Sequence, residues 1–431
     1  MNISKERVSV IGLGYVGLPL AAALCEKYET IGFDIDKKRI SELNDNFDRT
    51  NEFTSKELSD LSNIIFTDDQ TQLESSGIFI VTVPTPIDKS NQPDLRYLVS
   101  ACEIVGEYLS NGSIVIFEST VYPHATEEIC VPVLEEVSGL KYINHENKNE
   151  DGFYCGYSPE RINPGDKKNP LKSIKKIVSG STDEALNTVD ELYSSIIEAG
   201  TVRSGSISSA EAAKVIENTQ RDINIALVNE FALIFNKLNL DTQEILNLAS
   251  TKWNFMAMSP GLVGGHCIGV DPYYLAYRAI ESEYYPELIL SGRKLNNKIG
   301  KHIGQEVLKL MTKKDIPLLN SQVLIMGFSF KENCPDIRNT RVIDIINHLG
   351  TYKCNIDVYD PLVNPGEVER EYGISLIDEP SKQKYDAIIL AVSHDEFRDL
   401  EISTLRSFGH SKSIIYDVKY IFDKDEVDGR L

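Results

Sequence analysis

The chain has 431 residues, 42% hydrophobic and 25% charged, a globular balance too long for one ordinary core and suited to two or three domains. A formal net charge of −21 gives phosphate polymers and anionic membranes no attractive field. Nucleic acid and membrane are therefore not expected partners, while a single nucleotide held by a few cations and backbone N–H groups stays open.

No apolar run reaches transmembrane length, and the strand-like run Val8–Gly14 follows Met1 without the segments of a signal peptide. That strand, Val8–Ile11, leads into Gly12-Leu-Gly14-Tyr-Val-Gly17 and a helix with Pro19 near its start. Gly12 permits a tight turn, Gly14 lets the backbone approach a pyrophosphate, and Gly17 allows close helix–strand packing. The helix start offers free N–H groups and a positive dipole end, with Tyr15 and Val16 between the glycines as further cofactor contacts. Asp34 closes the next strand, Thr30–Phe33, where it can bond ribose hydroxyls and repel a 2′-phosphate. NAD is favoured over NADP, although Lys37, Lys38 and Arg39 follow and Arg39 is counted among the cofactor contacts.

Strands are next expected at Ile78–Val83, Ile114–Phe117, Tyr154–Tyr157 and Lys176–Val178, alternating with helices as in a parallel sheet covered on both faces. Polar loops follow three of them: Val83-Pro84-Thr85-Pro86, Glu118-Ser-Thr120-Val-Tyr-Pro123, and Tyr157-Ser-Pro-Glu160-Arg161-Ile-Asn-Pro-Gly165. Ligands bind at this carboxyl edge of such sheets, but taken singly each loop reads as a turn.

Ser206–Leu248 reads as long helix, with Ala212, Val215, Ile216, Ile223, Ala226, Leu227 and Phe231 at helical spacing. An apolar face of that length suits a domain junction or a dimer interface. Lys214 and Asn218 stand one turn apart on it, beside Glu217 and Arg221. They suit an alkoxide or tetrahedral oxyanion, and equally a solvated helix face. The loop Ser259–Gly269 follows, then more helix to about Met311. Cys25, Cys102, Cys130 and Cys155 lie in core-like patterns, and Cys334 and Cys354 read as incidental. Seven scattered Cys without a CxxC pair indicate a reducing cytoplasm, no disulfide framework and no bound metal. Cys267 differs, lying in Gly261-Leu-Val-Gly264-Gly-His-Cys-Ile-Gly-Val-Asp271. The glycines are expected to let a ligand come close and to expose N–H groups to an oxyanion, and a helix beginning near Cys267 would favour its thiolate. The alternative is a metal-binding or structural turn holding His266 and Cys267.

The last part restarts the α/β pattern, with strands expected at Val323–Met326, Asn355–Tyr359, Ala387–Val392 and Ser413–Tyr416. Leu324-Ile-Met-Gly-Phe328 echoes the first strand and turn, and Asp357-Val-Tyr-Asp-Pro361 echoes Gly32-Phe-Asp-Ile-Asp36. Without a second glycine triplet, this half reads as a Rossmann-like domain for a different nucleotide.

Taken together, these motifs resemble the nucleotide-sugar 6-dehydrogenase family, that of UDP-glucose and GDP-mannose dehydrogenases, over essentially the whole length and in the family's order. Within it, Gly264-Gly-His-Cys-Ile-Gly-Val-Asp-Pro272 is similar to the UDP-N-acetylhexosamine branch of bacterial capsule, Vi-antigen and O-antigen synthesis. Val270 stands where the UDP-glucose branch typically has Lys. The resemblance implies an α/β architecture of two Rossmann-like doubly wound domains joined by a long central helical dimerisation region: an NAD domain over 1–200, a helical region with the Cys loop over 201–312, and a UDP-binding domain over 313–431. It implies oxidation of a UDP-sugar C6 alcohol to carboxylate with two NAD, in a homodimer or higher oligomer. Cys267 then matches the nucleophile, Lys214 and Asn218 the oxyanion pair, Asp271 the acid that orders a water, and Thr120 and Glu160 helpers in water and proton transfer. NAD contacts extend to Pro84, Thr85, Thr120 and Arg338. Glu160, Arg161, Lys214, Asn218, Gly264, Phe330 and Lys331 would meet the UDP-sugar. Arg293 and the segment Trp253–Ser259 flank the nucleophile loop in sequence and are further sugar contacts on that ground, with Trp253, Asn254 and Phe255 expected to shape the acetamido pocket. His124 replaces a usual Gly after Tyr-Pro, and Lys419 a frequent Arg.

Two rivals predict different behaviour. A β-hydroxyacid dehydrogenase shares an NAD domain and a Lys/Asn pair but makes one NADH and does not depend on Cys267. A silent NAD- and sugar-nucleotide-binding regulator binds without turnover.

Overall fold

The computed structural model describes residues 7–148, 150–160 and 171–431. Backbone contacts divide the chain into two compact units, Met1–Glu217 with Tyr273–Tyr284, and Asn218–Pro272 with Tyr285–Leu431.

Among the described residues the first unit has nine strands: β1 (Arg7–Ile11), β2 (Thr30–Phe33), β3 (Ile64–Thr67), β4 (Ser76–Val81), β5 (Ile114–Phe117), β6 (Lys141–Tyr142), β7 (Gly152–Tyr157), β8 (Lys176–Gly180) and β9 (Thr201–Arg203). Their order is β3-β2-β1-β4-β5-β7-β8-β9, with β6 on β7. Only the β7–β8 pairing is antiparallel. The central strands are apolar on both faces because helices cover both; Val8, Val10, Ile78, Ile80, Ile114 and Ile116 are fully or almost fully buried. The third expected strand ends at Val81, since the Thr82 hydroxyl turns to the Gly12 carbonyl at 2.7 Å. β3, β6 and β9 were not expected; they are short, and the side chains of β3 are half-exposed or exposed, so they lack the apolar run that announces a strand.

In the second unit β10 (Gln322–Met326), β11 (Asn355–Tyr359), β12 (Tyr385–Leu390), β13 (Gly409–Asp417) and β14 (Gly429–Arg430) form a parallel sheet in the order β11-β10-β12-β13-β14. Helix Glu287–Lys313 crosses helix Val342–Gly350 closely: a Cβ on Gly300 would lie 2.7 Å from Cβ of Asp344, and one on Gly304 2.8 Å from the His348 ring. The expected helix Ser206–Leu248 is two helices, Ile207–Lys237 and Thr242–Ala249. Asn239 takes a left-handed φ of 55°, and Asp241 caps the second helix by accepting from Glu244 N at 2.8 Å.

The two sheets share one turn. Gly12 has φ +95° and donates to Phe33 O at 2.8 Å; Gly327 has φ +94° and donates to Tyr359 O at 2.8 Å. Leu13 N donates to Asp34 at 2.8 Å and Phe328 N to Asp360 at 2.7 Å. Asp36 N and Leu362 N donate to the other oxygens of the same two carboxylates, each at 2.9 Å. The echo seen in the sequence is therefore the same arrangement of hydrogen bonds built twice.

In the first unit a buried ion pair ties three strand ends. Glu118, directly after β5, meets Lys176 Nζ at 3.0 Å, with side chains 2% and 3% exposed. Tyr193 OH donates to Glu118, and Lys176 also donates to Pro159 O at 3.2 Å. Removing one partner leaves a buried charge unpaired, which costs about 3–5 kcal/mol. Lys176→Met is expected to lower the urea midpoint accordingly, and Lys176→Met with Glu118→Leu to recover most of it; equal midpoints for the single variant and wild type would contradict this.

Candidate active site

In the first unit the glycine turn fits a dinucleotide. A Cβ on Gly17 would lie 1.8 Å from the Gly12 carbonyl, so only glycine lets the helix Gly17–Leu24 seat there. Gly14 is exposed, and nothing lies within 4 Å of where its Cβ would be, which leaves the turn open to a pyrophosphate. Tyr15 and Val16 are half-buried beside it. Asp34 is half-exposed and spends one bond per oxygen on the turn, so lone pairs remain for a ribose diol. Arg39 is not available to a 2′-phosphate. It is 3% exposed, donates to Leu13 O at 2.9 Å and pairs with Asp48 at 2.8 Å, so it braces the turn from beneath.

The polar loops at the carboxyl edge interlock. Ser119 Oγ donates to Val83 O at 2.7 Å and Tyr157 OH to Ser119 O at 3.2 Å, which fixes Pro84, Thr85 and the half-buried Thr120. Glu160 and Lys214 are both buried and stand 3.9 Å apart. Arg161 lies outside the described residues. His124 adopts the left-handed φ of 76° that a glycine would take without strain. The buried Glu211 carboxylate holds this turn, accepting from His124 N at 2.6 Å and Thr126 N at 2.9 Å.

In the second unit Asn218, one helical turn beyond Lys214 in the sequence, donates to Asp271 at 2.6 Å; both are buried. Cys267 is half-exposed, in contrast to the six buried Cys. The helix Asp271–Glu281 begins four residues later than expected, but its first turn is counted from Cys267, whose carbonyl accepts from Val270 N at 3.0 Å and Asp271 N at 2.8 Å. The nucleophile candidate thus stands just ahead of a helix N-terminus, where a negative charge is favoured.

The loop's glycines do not all serve a ligand. A Cβ on Gly265, at φ +83°, would lie 2.8 Å from the Phe330 ring, and one on Gly264 would lie 2.8 Å from Asn339 O. Phe330 and Asn339 press on the loop, so packing demands these two glycines. Asn229 holds the loop's start with both ends of its amide, accepting from Gly261 N at 2.8 Å and donating to Gly261 O at 3.1 Å. Lys419 Nζ lies 3.7 Å from where a Gly261 Cβ would be.

The remaining candidates divide. Lys331 is half-buried next to Phe330. Arg338 chelates Asp336 with contacts of 2.6 to 3.1 Å, and His266 Nδ1 lies 3.7 Å from the same carboxylate. Burial opposes ionisation of Asp336, but Arg338 outweighs it and holds the carboxyl below its ordinary value. Arg293 is 3% exposed and paired with Asp222 at 2.6 Å and Asn297 at 2.6 Å, which places it in the helix packing beneath the loop. Trp253 is 97% exposed, Asn254 is exposed and Phe255 half-buried.

The first unit thus holds an open glycine turn and a buried Lys–Glu pair, groups of the kind that hydride removal uses; the second holds a half-exposed thiol ahead of a helix and a buried Asn–Asp pair, groups of the kind that covalent capture uses. Family models match in the same sequence order: the NAD binding domain of the UDP-glucose/GDP-mannose dehydrogenase family over residues 6–197, its central domain over 208–298 and its UDP binding domain over 324–424. The chain belongs to this family. It is similar to a UDP-N-acetyl-D-glucosamine 6-dehydrogenase of Salmonella typhi, 52% identical over 430 residues and 100% of both chains. It is also similar to a protein of the same name from Pseudomonas aeruginosa, 53% identical over 99% of each. Among solved structures, a UDP-D-ManNAc dehydrogenase of Pyrococcus horikoshii matches with a TM-score of 0.86 and 29% identity over 97% of this chain and 96% of that one. The chain is an NAD-dependent nucleotide-sugar dehydrogenase with a UDP-binding domain. No helix among the described residues is long and apolar enough to cross a membrane.

Several supporting residues had escaped the sequence: Lys176, Glu211, Asn229 and Asp222. A polar residue shortly after an apolar strand run is the one available sign, and it marks Glu118, the partner of Lys176. Glu211 and Asn229 lie within a long helix and carry no such mark.

Burial pushes the Glu211 carboxyl up to about 7, from an ordinary 4.5, against the two backbone N–H groups that favour the carboxylate. Between those pH values the native state keeps a proton that the unfolded chain has released, so stability falls as pH rises, by on the order of 3 kcal/mol. Relative to Glu211→Gln, the wild type is expected to lose that much between pH 5 and pH 8 in denaturant titrations. A flat difference would show that the N–H groups keep the carboxylate charged throughout.

Proposed function

We propose that the chain is a UDP-N-acetyl-D-glucosamine 6-dehydrogenase, oxidising the sugar C6 alcohol to a carboxylate through a covalent intermediate on Cys267. The observation that carries this is the exposure of one Cys among seven, on a loop walled by Phe330 and Asn339 and set ahead of a helix N-terminus. The sugar assignment rests on the two relatives of that name, each more than half identical along nearly its entire length. Val270, buried beside Asp271, agrees with the acetamido branch over UDP-glucose. UDP-GalNAc differs in the orientation of one hydroxyl and stands as the nearest competitor.

Gly12, Gly14, Gly17 and Asp34 would hold NAD, which when bound supplies the hydride acceptor at each oxidation. Lys214 and Asn218 stabilise the negative charge that develops on the C6 oxygen as its proton leaves. The resulting aldehyde meets the Cys267 thiolate; a C–S bond forms, and the carbonyl oxygen takes a proton to give a thiohemiacetal. This species still carries hydrogen at C6 and can lose a second hydride, leaving a thioester. Asp271, Thr120 and Glu160 position the water that adds to the thioester carbonyl, and the thiolate leaves with the acid formed. Overall, one alcohol, two NAD and one water give one carboxylate, two NADH and three protons.

A β-hydroxyacid dehydrogenase needs neither the Cys nor the UDP-binding domain matched over 324–424. The exposed Leu227, Ile234, Leu238 and Leu248, with Trp253, suit pairing of two copies through the helical region, in a cytoplasmic homodimer or higher oligomer.

NADH formed per sugar, with UDP-GlcNAc, UDP-GalNAc and UDP-glucose each limiting, tests the reading. Two NADH per sugar are expected, fastest with UDP-GlcNAc, while Cys267→Ala should lower acid formation by on the order of 10³-fold or more. One NADH in both proteins would reduce Cys267 to a structural role, and faster turnover of another sugar would move the substrate.

A further inference from the structure

The shared turn ends differently in the two units. In the first, Asp34 is half-exposed, and nothing lies within 4 Å of where a Cβ on Gly14 would be. In the second, the equivalent Asp360 has a side chain with no exposure, and the equally buried His394 covers it. His394 Nε2 lies 3.1 Å from Asp360 Oδ2 and 3.3 Å from Ser329 Oγ. His394 Nδ1 accepts from Asn333 N at 2.9 Å, which requires the ring's proton to sit on Nε2 and point at the carboxylate. Ser329 Oγ in turn donates to Lys331 O at 2.8 Å, and Asn333 Oδ1 accepts from Asp395 N at 2.9 Å.

We propose that His394 is a positioning residue for the nucleotide-sugar site: its imidazole takes the place that a ribose diol would have beside Asp360, closes this half to a dinucleotide, and locks Ser329–Asn333 in one conformation. The locked segment carries Phe330 and Lys331. Phe330 is the ring that leaves room only for glycine at 265, two residues before Cys267. One imidazole thus sets the conformation of the chain at Lys331 and the wall of the nucleophile's loop. The inference rests on the UDP-sugar reading for the role of Lys331.

Two variants separate the ring's two bonds. His394→Asn keeps an acceptor where Nδ1 stood, for Asn333 N, and gives up the bond to Asp360. His394→Gln keeps a donor where Nε2 stood and leaves Asn333 N unpaired. A buried donor left without a partner costs about 1–3 kcal/mol, or roughly tenfold in affinity per 1.4 kcal/mol. Calorimetric titration with UDP, which needs no turnover, should show affinity about tenfold weaker in His394→Gln and within about threefold of wild type in His394→Asn. NAD affinity should be unchanged in both, since its turn belongs to the other unit. Ser329→Ala is a smaller change for the event that His394→Gln does not fold, and it should weaken UDP binding while sparing NAD. Unchanged UDP affinity in His394→Gln, or in Ser329→Ala where that serves instead, would overturn the proposal. So would equal losses in both His394 variants, which would mean packing alone. Failure of the wild type to bind UDP would overturn the functional reading itself, and is told apart by that control.

Discussion

Each sheet depends on what happens just after its first strand. The chain must leave the strand at a left-handed glycine, and the next amide then points at no backbone acceptor. A carboxylate from the end of the second strand takes that amide with one oxygen and, with the other, an amide two residues beyond itself. The same two bonds recur at Asp34 and Asp360. A buried amide without such a partner costs as much as a good hydrogen bond contributes, so the acid is fixed by the backbone before any ligand is considered. What differs is the cover: Asp34 is half-exposed, while an imidazole closes over Asp360.

The glycine loop before Cys267 shows a similar division of labour. Gly264 and Gly265 yield to Phe330 and Asn339, and Asn229 grips the loop's first residue at both backbone groups. Gly269 has nothing closer than 3.6 Å to where a Cβ would sit, and so keeps the openness that the sequence suggested for the whole run. A nucleophile must be held to within a fraction of an ångström, and clamps on the residues around it do that better than a flexible loop.

Much of this was legible. The strand runs were apolar enough to place β1, β2, β5, β10 and β11 within a residue, and Cys267 stood out by the company of its glycines. The failures have physical causes. β3 and β9 are edge strands whose exposed side chains follow no pattern. The break at Asn239 turns on one left-handed residue that composition does not announce. Arg293 and Arg39 read as ligands because each stands near a motif in the sequence; in the structure each pairs with a buried carboxylate, Arg293 with Asp222 on another helix and Arg39 with Asp48 in the loop after its own helix. Polar pairs of that kind leave no periodic trace.

The chain contains a single Trp, and Trp253 is 97% exposed. Its indole is therefore an optical probe of one surface and of nothing else. In this chain taken alone, unfolding changes its surroundings little, because it is already in water. Covering that surface would shift its emission to the blue and shield it from aqueous quenchers. Excited at the red edge of its absorption, where the 20 tyrosines do not absorb, that indole watches the helical region without any added label.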